Sequence, residues 1–249
     1  MNPLINYDSP RALRAFLEER GLGMRKKFGQ NFLVNPQARA KLLDALDLPP
    51  GSPVWEIGPG LGAMTAGLLE RGAKVTAFEI DPAFAHALGE FFGSDPAFRL
   101  VEGDVLKTWS GADAGGELFL LGNLPYNIAA LILADFIERG RFFTRIVVTV
   151  QREVARRMAA APGTVDYSSF TVLCSSVYKV SPLQVIKASS FYPAPRVDSQ
   201  GVRLDFLPVR RDLPLHFYPL VRSLFSARRK KLKNTLTNYA ASVIMRNNA

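Results

Sequence analysis

The segment Glu56-Ile-Gly-Pro-Gly-Leu-Gly62 constrains the fold most. It follows a short apolar run, Val54–Ile57, and leads into a helical stretch, Thr65–Arg71. Glycines at alternate positions let a chain turn sharply out of a strand and into a helix, because glycine takes positive φ without a Cβ penalty. Beyond this turn, strand and helix signals alternate. Lys74–Glu79, Arg99–Val101, Leu118–Leu121 and Arg145–Val150 read as strands, and Pro82–Phe92, Ala129–Arg139 and Glu153–Ala160 as helices. Such alternation implies parallel strands with crossover helices, a doubly wound α/β sheet. Residues 170–180, 183–187 and 200–206 read as late strands with no long helix between them, fitting an antiparallel edge.

The two ends differ from this body. Residues 9–21 read as an amphipathic helix, with Ser9 as N-cap, Pro10 at its first position and Gly21 at its end. A basic loop, Met24–Leu33, follows, then a helix at 36–47 stopped by Pro49-Pro50-Gly51. Pro208 and Pro214 mark a boundary, followed by two helices, Leu215–Phe225 and the strongly basic Arg229–Tyr239. The chain therefore divides into a main domain, 1–207, and a small basic helical domain, 208–249. Of the net charge of +9, residues 208–249 carry +8 and residues 1–33 carry +3, which leaves −2 on the middle. Basic ends around a nearly neutral body suggest a polyanion held by the termini while the middle binds something else.

With 48% hydrophobic residues the chain can build a real core, which argues against global disorder. No apolar run is long enough to span a bilayer. The N-terminus lacks an apolar signal core, and Asp8, Glu18 and Glu19 argue against a transit peptide. The single cysteine, Cys174, sits in an apolar run and reads as buried and inert. A cytoplasmic location is the expectation. His86 and His216 are too isolated for a metal site, and none is expected.

Alone, a glycine-rich turn serves dinucleotides, methyl donors or simple chain reversal. Glu79 ends the next strand, 21 residues after Gly58, where a carboxylate can accept from both ribose hydroxyls of an adenosine cofactor. Asp104, ending the third strand, is placed to accept from an adenine amino group. The spacing Gly-x-Gly-x-Gly departs from the pyrophosphate fingerprint and tilts the choice toward S-adenosylmethionine, which has no pyrophosphate.

Asn123-Leu124-Pro125-Tyr126 ends the fourth strand. The N6 nitrogen of adenine is a poor nucleophile, because its lone pair is delocalised into the ring. The Asn123 side-chain oxygen and the Leu124 carbonyl can accept its protons and draw that lone pair toward sp3 character. Pro125 stiffens the turn, and Tyr126 can stack on a base that has left its helix or loop. Phe191, in the proline-stiffened stretch Phe191–Ser199, is a candidate for a second stacking wall.

These motifs, taken in order with Lys27–Leu33, Val150–Ala155 and Phe225–Asn234, resemble the small-subunit (16S) ribosomal RNA adenine dimethyltransferases, the kasugamycin-sensitivity methyltransferases of bacteria. The resemblance covers nearly the whole chain. It implies a Rossmann-like class I methyltransferase with a mostly parallel seven-stranded sheet, plus the C-terminal helical domain. It implies contacts to S-adenosylmethionine from Asn31, Leu33, Gly58, Glu79, Asp104 and Asn123, to which the neighbouring Gln30, Gly60, Ile80 and Val105 are added. Gln30–Leu33 becomes a lid over the cofactor. The implied substrate is two adjacent adenines in the 3′-terminal hairpin loop of small-subunit rRNA, each converted to N6,N6-dimethyladenosine during late assembly of the immature subunit. Arg228, Arg229, Lys230, Lys231 and Lys233 would then hold rRNA phosphates by charge. A monomer is expected.

The sequence departs from the family at Ala129-Ala130, where Ser or Thr is common, and at Tyr167-Ser168, where Tyr-Gly is common. The C-terminal part is shorter than usual, ending at Ala249, and reads as reduced or truncated. Two alternatives stand beside this reading: a large-subunit rRNA adenine-N6 methyltransferase of the macrolide-resistance kind, and a non-catalytic assembly or transcription factor on the same fold. DNA adenine methylation would call for Asp or Asn followed by Pro-Pro-Tyr, and Leu124 counts against it.

Overall fold

Helices begin here on a recurring local device, a capping side chain followed by proline. Ser9, Asn35 and Asp81 each accept a backbone N–H of the following turn, and Pro10, Pro36 and Pro82 occupy the first helical position. The side chain satisfies an orphan donor, and proline has no N–H to leave unpaired. The computed structural model describes residues 5–24, 29–112, 116–125, 128–207, 214 and 216–247. In chain order the elements are α1 (Pro10–Glu19), β1 (Phe32–Leu33), α2 (Pro36–Ala45), β2 (Pro53–Ile57), α3 (Ala63–Glu70), β3 (Lys74–Glu79) and α4 (Pro82–Phe92). Next come β4 (Phe98–Glu102), α5 (Val105–Thr108), β5 (Phe119–Asn123), α6 (Ala129–Glu138), β6 (Arg145–Gln151) and α7 (Arg152–Met158). The chain continues through α8 (Ser169–Val177), β7 (Tyr178–Ile186), β8 (Phe191–Tyr192), β9 (Ser199–Phe206), α9 (Phe217–Ser226) and α10 (Leu232–Asn247).

Seven strands form one sheet in the order β4-β3-β2-β5-β6-β9-β7. The first five are parallel, and β9 runs antiparallel to both β6 and β7. Strand order reverses around β2, which pairs with β3 on one side and β5 on the other. In open α/β sheets this switch point leaves a crevice at the carboxyl ends of the strands. Both faces of the sheet are covered. Trp55, Phe136 and Phe143 pack on one side, with ring centroids 5.2 to 6.2 Å apart. Val54, Leu68 and Phe119 pack with Leu42 and Leu43 of α2 on the other. Burial on both faces explains why the central strands read as continuous apolar runs.

Three expectations need correction. Residues 170–180 are not a strand: α8 occupies 169–177, and β7 begins at Tyr178. The β-branched Thr171, Val172 and Val177 suggested a strand. The buried positions Phe170, Leu173, Cys174 and Val177, however, recur at helical spacing, and a Ser168–Thr171 capping box starts the helix. Tertiary packing overrides weak β propensity. The basic loop is not all loop either, since Phe32 and Leu33 form β1, paired antiparallel with Tyr192 and Phe191 of β8. Residues 25–28 of that loop, and the boundary at Pro208, lie outside the described residues. Cys174 is fully buried, and burial pushes its thiol up, as an inert core thiol requires.

The basic run Arg228–Lys231 precedes α10 rather than riding on it, and these four side chains are exposed. α9 is joined to the main core through Tyr218 and Val221, and an Arg222–Glu138 ion pair of 2.7 Å ties it to α6. No described helix is long and apolar enough to cross a membrane.

Candidate active site

The crevice is built on the turn after β2. Gly58, Gly60 and Gly62 have φ of +67°, +60° and +87°, a backbone that other residues adopt only with strain. Space is equally limiting. A Cβ at Gly60 would come within 2.9 Å of the Phe32 ring, and one at Gly62 within 2.4 Å of Phe92. Glycine at these positions lets the loop pack under β1 and against α4.

Glu79, at the end of β3, holds the loop from the other side. Its carboxylate accepts the Gly60 N–H at 3.1 Å and the Asp81 N–H at 2.8 Å. Burial raises its pKa to about 7, with the bonds from Asp81 and Gly60 opposing that shift. Glu56, at the end of β2, is also buried and accepts the Thr65 hydroxyl at 2.6 Å. Burial lifts Glu56 to about 7; the Thr65 bond opposes this and the Glu79 charge adds to it. Both acids line the cleft, and no Lys or Arg is among its described lining residues. Ile80, 40% exposed, adds an apolar wall.

Gln30, Asn31, Phe32 and Leu33 close the cleft from above. Gln30 donates to the Asp81 carboxylate at 3.0 Å, and β1 pairs with β8. Asn123, at the end of β5, donates through Nδ2 to the Asn31 carbonyl at 2.7 Å. A carbonyl cannot donate, so the nitrogen must face the lid. Oδ1 is thereby turned away from Asn31, and no described residue donates to it. Leu124 is buried, its N–H donates to the Thr149 carbonyl at 3.2 Å, and its own carbonyl accepts from no described residue. Gly122 makes this turn possible, because a Cβ there would lie 2.7 Å from the Leu124 side chain. Pro125 lines the cleft, and its carbonyl accepts from Ile128 and Ala129 to start α6. Tyr126 lies outside the described residues.

The structure thus brings Gln30, Asn31, Leu33, Gly58, Gly60, Glu79, Ile80, Asn123 and Pro125 to one cleft. Asp104 and Val105 sit beyond its lining, where the chain passes from β4 into α5. Asp104 caps α5 by accepting the Leu106 N–H at 3.0 Å, and Gly103 N–H donates to the Glu79 carbonyl at 2.8 Å, so these two strand ends adjoin. Phe191, expected as a stacking wall, is 3% exposed and packs in the core with Leu33 and Ile186. Its strand position points it inward, while the half-buried Tyr192 sits opposite Phe32. Sequence reasoning missed Tyr7, Leu13 and Met64, which also line the cleft. No local pattern marks Tyr7, whose hydroxyl donates to the Leu61 carbonyl across 54 residues of chain. Among the described residues no group of three or more His, Cys, Asp or Glu side chains is placed to hold a metal ion.

The sequence model for "Ribosomal RNA adenine dimethylase" matches residues 21–246. The chain is 43% identical over 246 residues to ribosomal RNA small subunit methyltransferase A of Treponema denticola, covering 95% of this chain and 83% of that protein. It is 42% identical to the protein of the same name from Borreliella burgdorferi, covering 94% and 83%. Among solved structures it is similar to a dimethyladenosine transferase from Plasmodium falciparum, with TM-score 0.72, 29% identity, and 81% and 73% of the two chains covered. It is similar also to the 23S rRNA methyltransferase ErmE, with TM-score 0.67, 26% identity, and 83% of each chain covered. Together with a glycine loop, a strand-end glutamate and an Asn-Leu-Pro turn converging at the sheet's switch point, these matches show that the chain belongs to the ribosomal RNA adenine dimethylase family.

Proposed function

We propose that this chain transfers methyl groups from S-adenosylmethionine to N6 of adenine in small-subunit ribosomal RNA, twice per base. The observation that carries the chemistry is the orientation of Asn123. Its nitrogen is held by the Asn31 carbonyl, which leaves its oxygen, like the Leu124 carbonyl of the next residue, as an acceptor to which no described residue donates. Two neutral acceptors fixed at a rigid turn are what an adenine amine needs to become nucleophilic. No strong base is needed: as the attacking amine takes the methyl group the S–CH3 bond breaks and S-adenosylhomocysteine leaves, and the resulting cationic nitrogen is acidic enough to give its proton to water. Positioning supplies most of the rate, as well-oriented reactants gain roughly 7–11 kcal/mol. Tyr126 is assigned to stack on the flipped base.

The cleft fits the cofactor. Two buried carboxylates with no described cation in the lining favour a cationic ligand, since an uncompensated buried acid is costly. S-adenosylmethionine supplies an electrophilic methyl group on a positively charged sulfur. Glu79 would hold the ribose, Ile80 would flank the adenine, and Asp104 would accept from its amino group at the edge of the cleft. Gly58 and Gly60 let the backbone approach closely, and Gln30–Leu33 exclude water. Phe191 stays a proposed wall for the target base, reached only if the β8 ribbon rearranges.

For the substrate, two adjacent adenines in the 3′-terminal hairpin loop of small-subunit rRNA are proposed, on an immature subunit late in assembly, by a monomer in the cytoplasm. Support comes from the names of relatives at 43% and 42% identity, against 26% for the large-subunit enzyme. The exposed Arg228, Arg229, Lys230, Lys231 and Lys233 would position the RNA through its phosphates. The test is methyl transfer to naked rRNA and to immature subunits, read by nucleoside mass spectrometry. Dimethyladenosine in small-subunit rRNA is expected. Product confined to large-subunit rRNA would overturn the substrate, and RNA binding without turnover would overturn the enzyme reading.

A further inference from the structure

Residues 5–20 lie before the stretch matched by the family's sequence model, and they help form the cleft. Ile5, Leu13 and Leu17 are buried in one apolar cluster with Val34, Leu61 and Phe84. This cluster lies under the glycine loop and the lid together. Two polar contacts leave its leading edge. The Tyr7 hydroxyl donates to the Leu61 carbonyl at 2.8 Å, inside the glycine loop. Asp8 pairs with Arg39, whose guanidinium donates to the Leu33 carbonyl at 2.7 Å, on the lid strand. Local chemistry fixes the approach: the Asp8 N–H donates to the Asn6 side chain at 3.0 Å, and Ser9 caps α1. Burial, with the Glu56 charge adding to it, keeps the Tyr7 hydroxyl protonated far above neutral pH, so it remains a donor.

We infer that residues 5–9 form a strap that positions both walls of the donor cleft, with Tyr7 the positioning residue for the glycine loop and Asp8 for the lid. The strap reaches the reacting end indirectly. The lid it steadies carries the Asn31 carbonyl, which in turn orients Asn123. The inference rests on the reading of this cleft as the methyl-donor site.

The test is calorimetric binding of S-adenosylhomocysteine to the full chain without RNA, with thermal unfolding measured beside it. Tyr7→Phe keeps the ring and its packing and removes only the bond to Leu61. It should weaken binding roughly three- to tenfold, the range for removal of one hydrogen bond. It should raise the donor KM with kcat changed less than about twofold, a split that a merely structural role would not produce. Asp8→Asn should weaken binding in the same direction. Arg20→Met breaks the exposed pair with Glu90 that docks α1 on α4, and should leave binding unchanged. Unchanged affinity in Tyr7→Phe, or an equal loss in Arg20→Met, would overturn the strap. If Tyr7→Phe does not fold, unchanged affinity in Asp8→Asn overturns it instead. Failure of the unsubstituted chain to bind at all would refute the donor reading of the cleft, a separate result.

Discussion

Raising the pH from 5 to 8 should destabilise the donor-free protein. Glu56 and Glu79 are each lifted from 4.5 to about 7, mainly by burial. Between those values the folded chain binds protons that the unfolded chain has released, so stability falls as pH rises through the window and levels off above about 7. At 1.36 kcal/mol per pKa unit, each ionised carboxylate costs at most about 3 kcal/mol. The two interact and titrate as a pair, so the whole effect is a few kcal/mol. That is large beside a total stability of about 5–15 kcal/mol. Asp198 and Asp205 act in the opposite sense. Hydrogen bonds from Ala188 N–H and Lys187 hold Asp198 below the usual carboxylate range, and Arg203 and Arg145 overcome burial to do the same for Asp205. Their contribution is lost only below about pH 4, outside the window. Urea unfolding at pH 5, 6, 7 and 8, followed by circular dichroism, reads the effect. Glu56→Gln should remove roughly half of the slope. A stability that is flat or rising from pH 5 to 8 would refute the argument that these acids are buried without a cation.

Asn123→Ala removes one acceptor and the lid bond to Asn31; kcat should fall about 10²- to 10³-fold, as for other fixed transition-state contacts, with donor affinity only moderately weaker. Single-turnover rates near those of the unsubstituted chain would end its assigned role. Glu79→Ala should weaken donor binding by calorimetry, because it deletes the ribose acceptor and orphans the Gly60 and Asp81 N–H groups; equal affinity would exclude ribose contact. Neutralising Arg228, Arg229 and Lys230 should reduce the slope of log K against log salt by about one unit for each phosphate that is no longer neutralised. An unaltered slope would mean that these exposed charges face only solvent.

The fold was legible because its signals are short-range. Each cap-then-proline start and each apolar strand declares itself within a few residues, so β3 and α4 fall where the pattern places them. The stretch 170–180 was misread because residue type and spacing disagreed there, and spacing was the better guide. Strands β1 and β8 were invisible for a different reason: two residues long, they exist only by pairing across about 160 positions.

The glycine loop, the strand-end Glu79 and the Asn-Leu-Pro turn were determined by the sequence alone, because a positive φ, a carboxylate and a fixed turn are properties of particular residue types at particular spacings. Tertiary structure alone decided how these parts face one another. Nothing local aims Asn123 at the Asn31 carbonyl, turns Phe191 into the core, or lays Tyr7 on the Leu61 carbonyl. Those contacts join residues 92 and 54 positions apart, or depend on which face of a two-residue strand meets the core. Long-range closure is set by the packing of the whole sheet, and a motif carries no record of it.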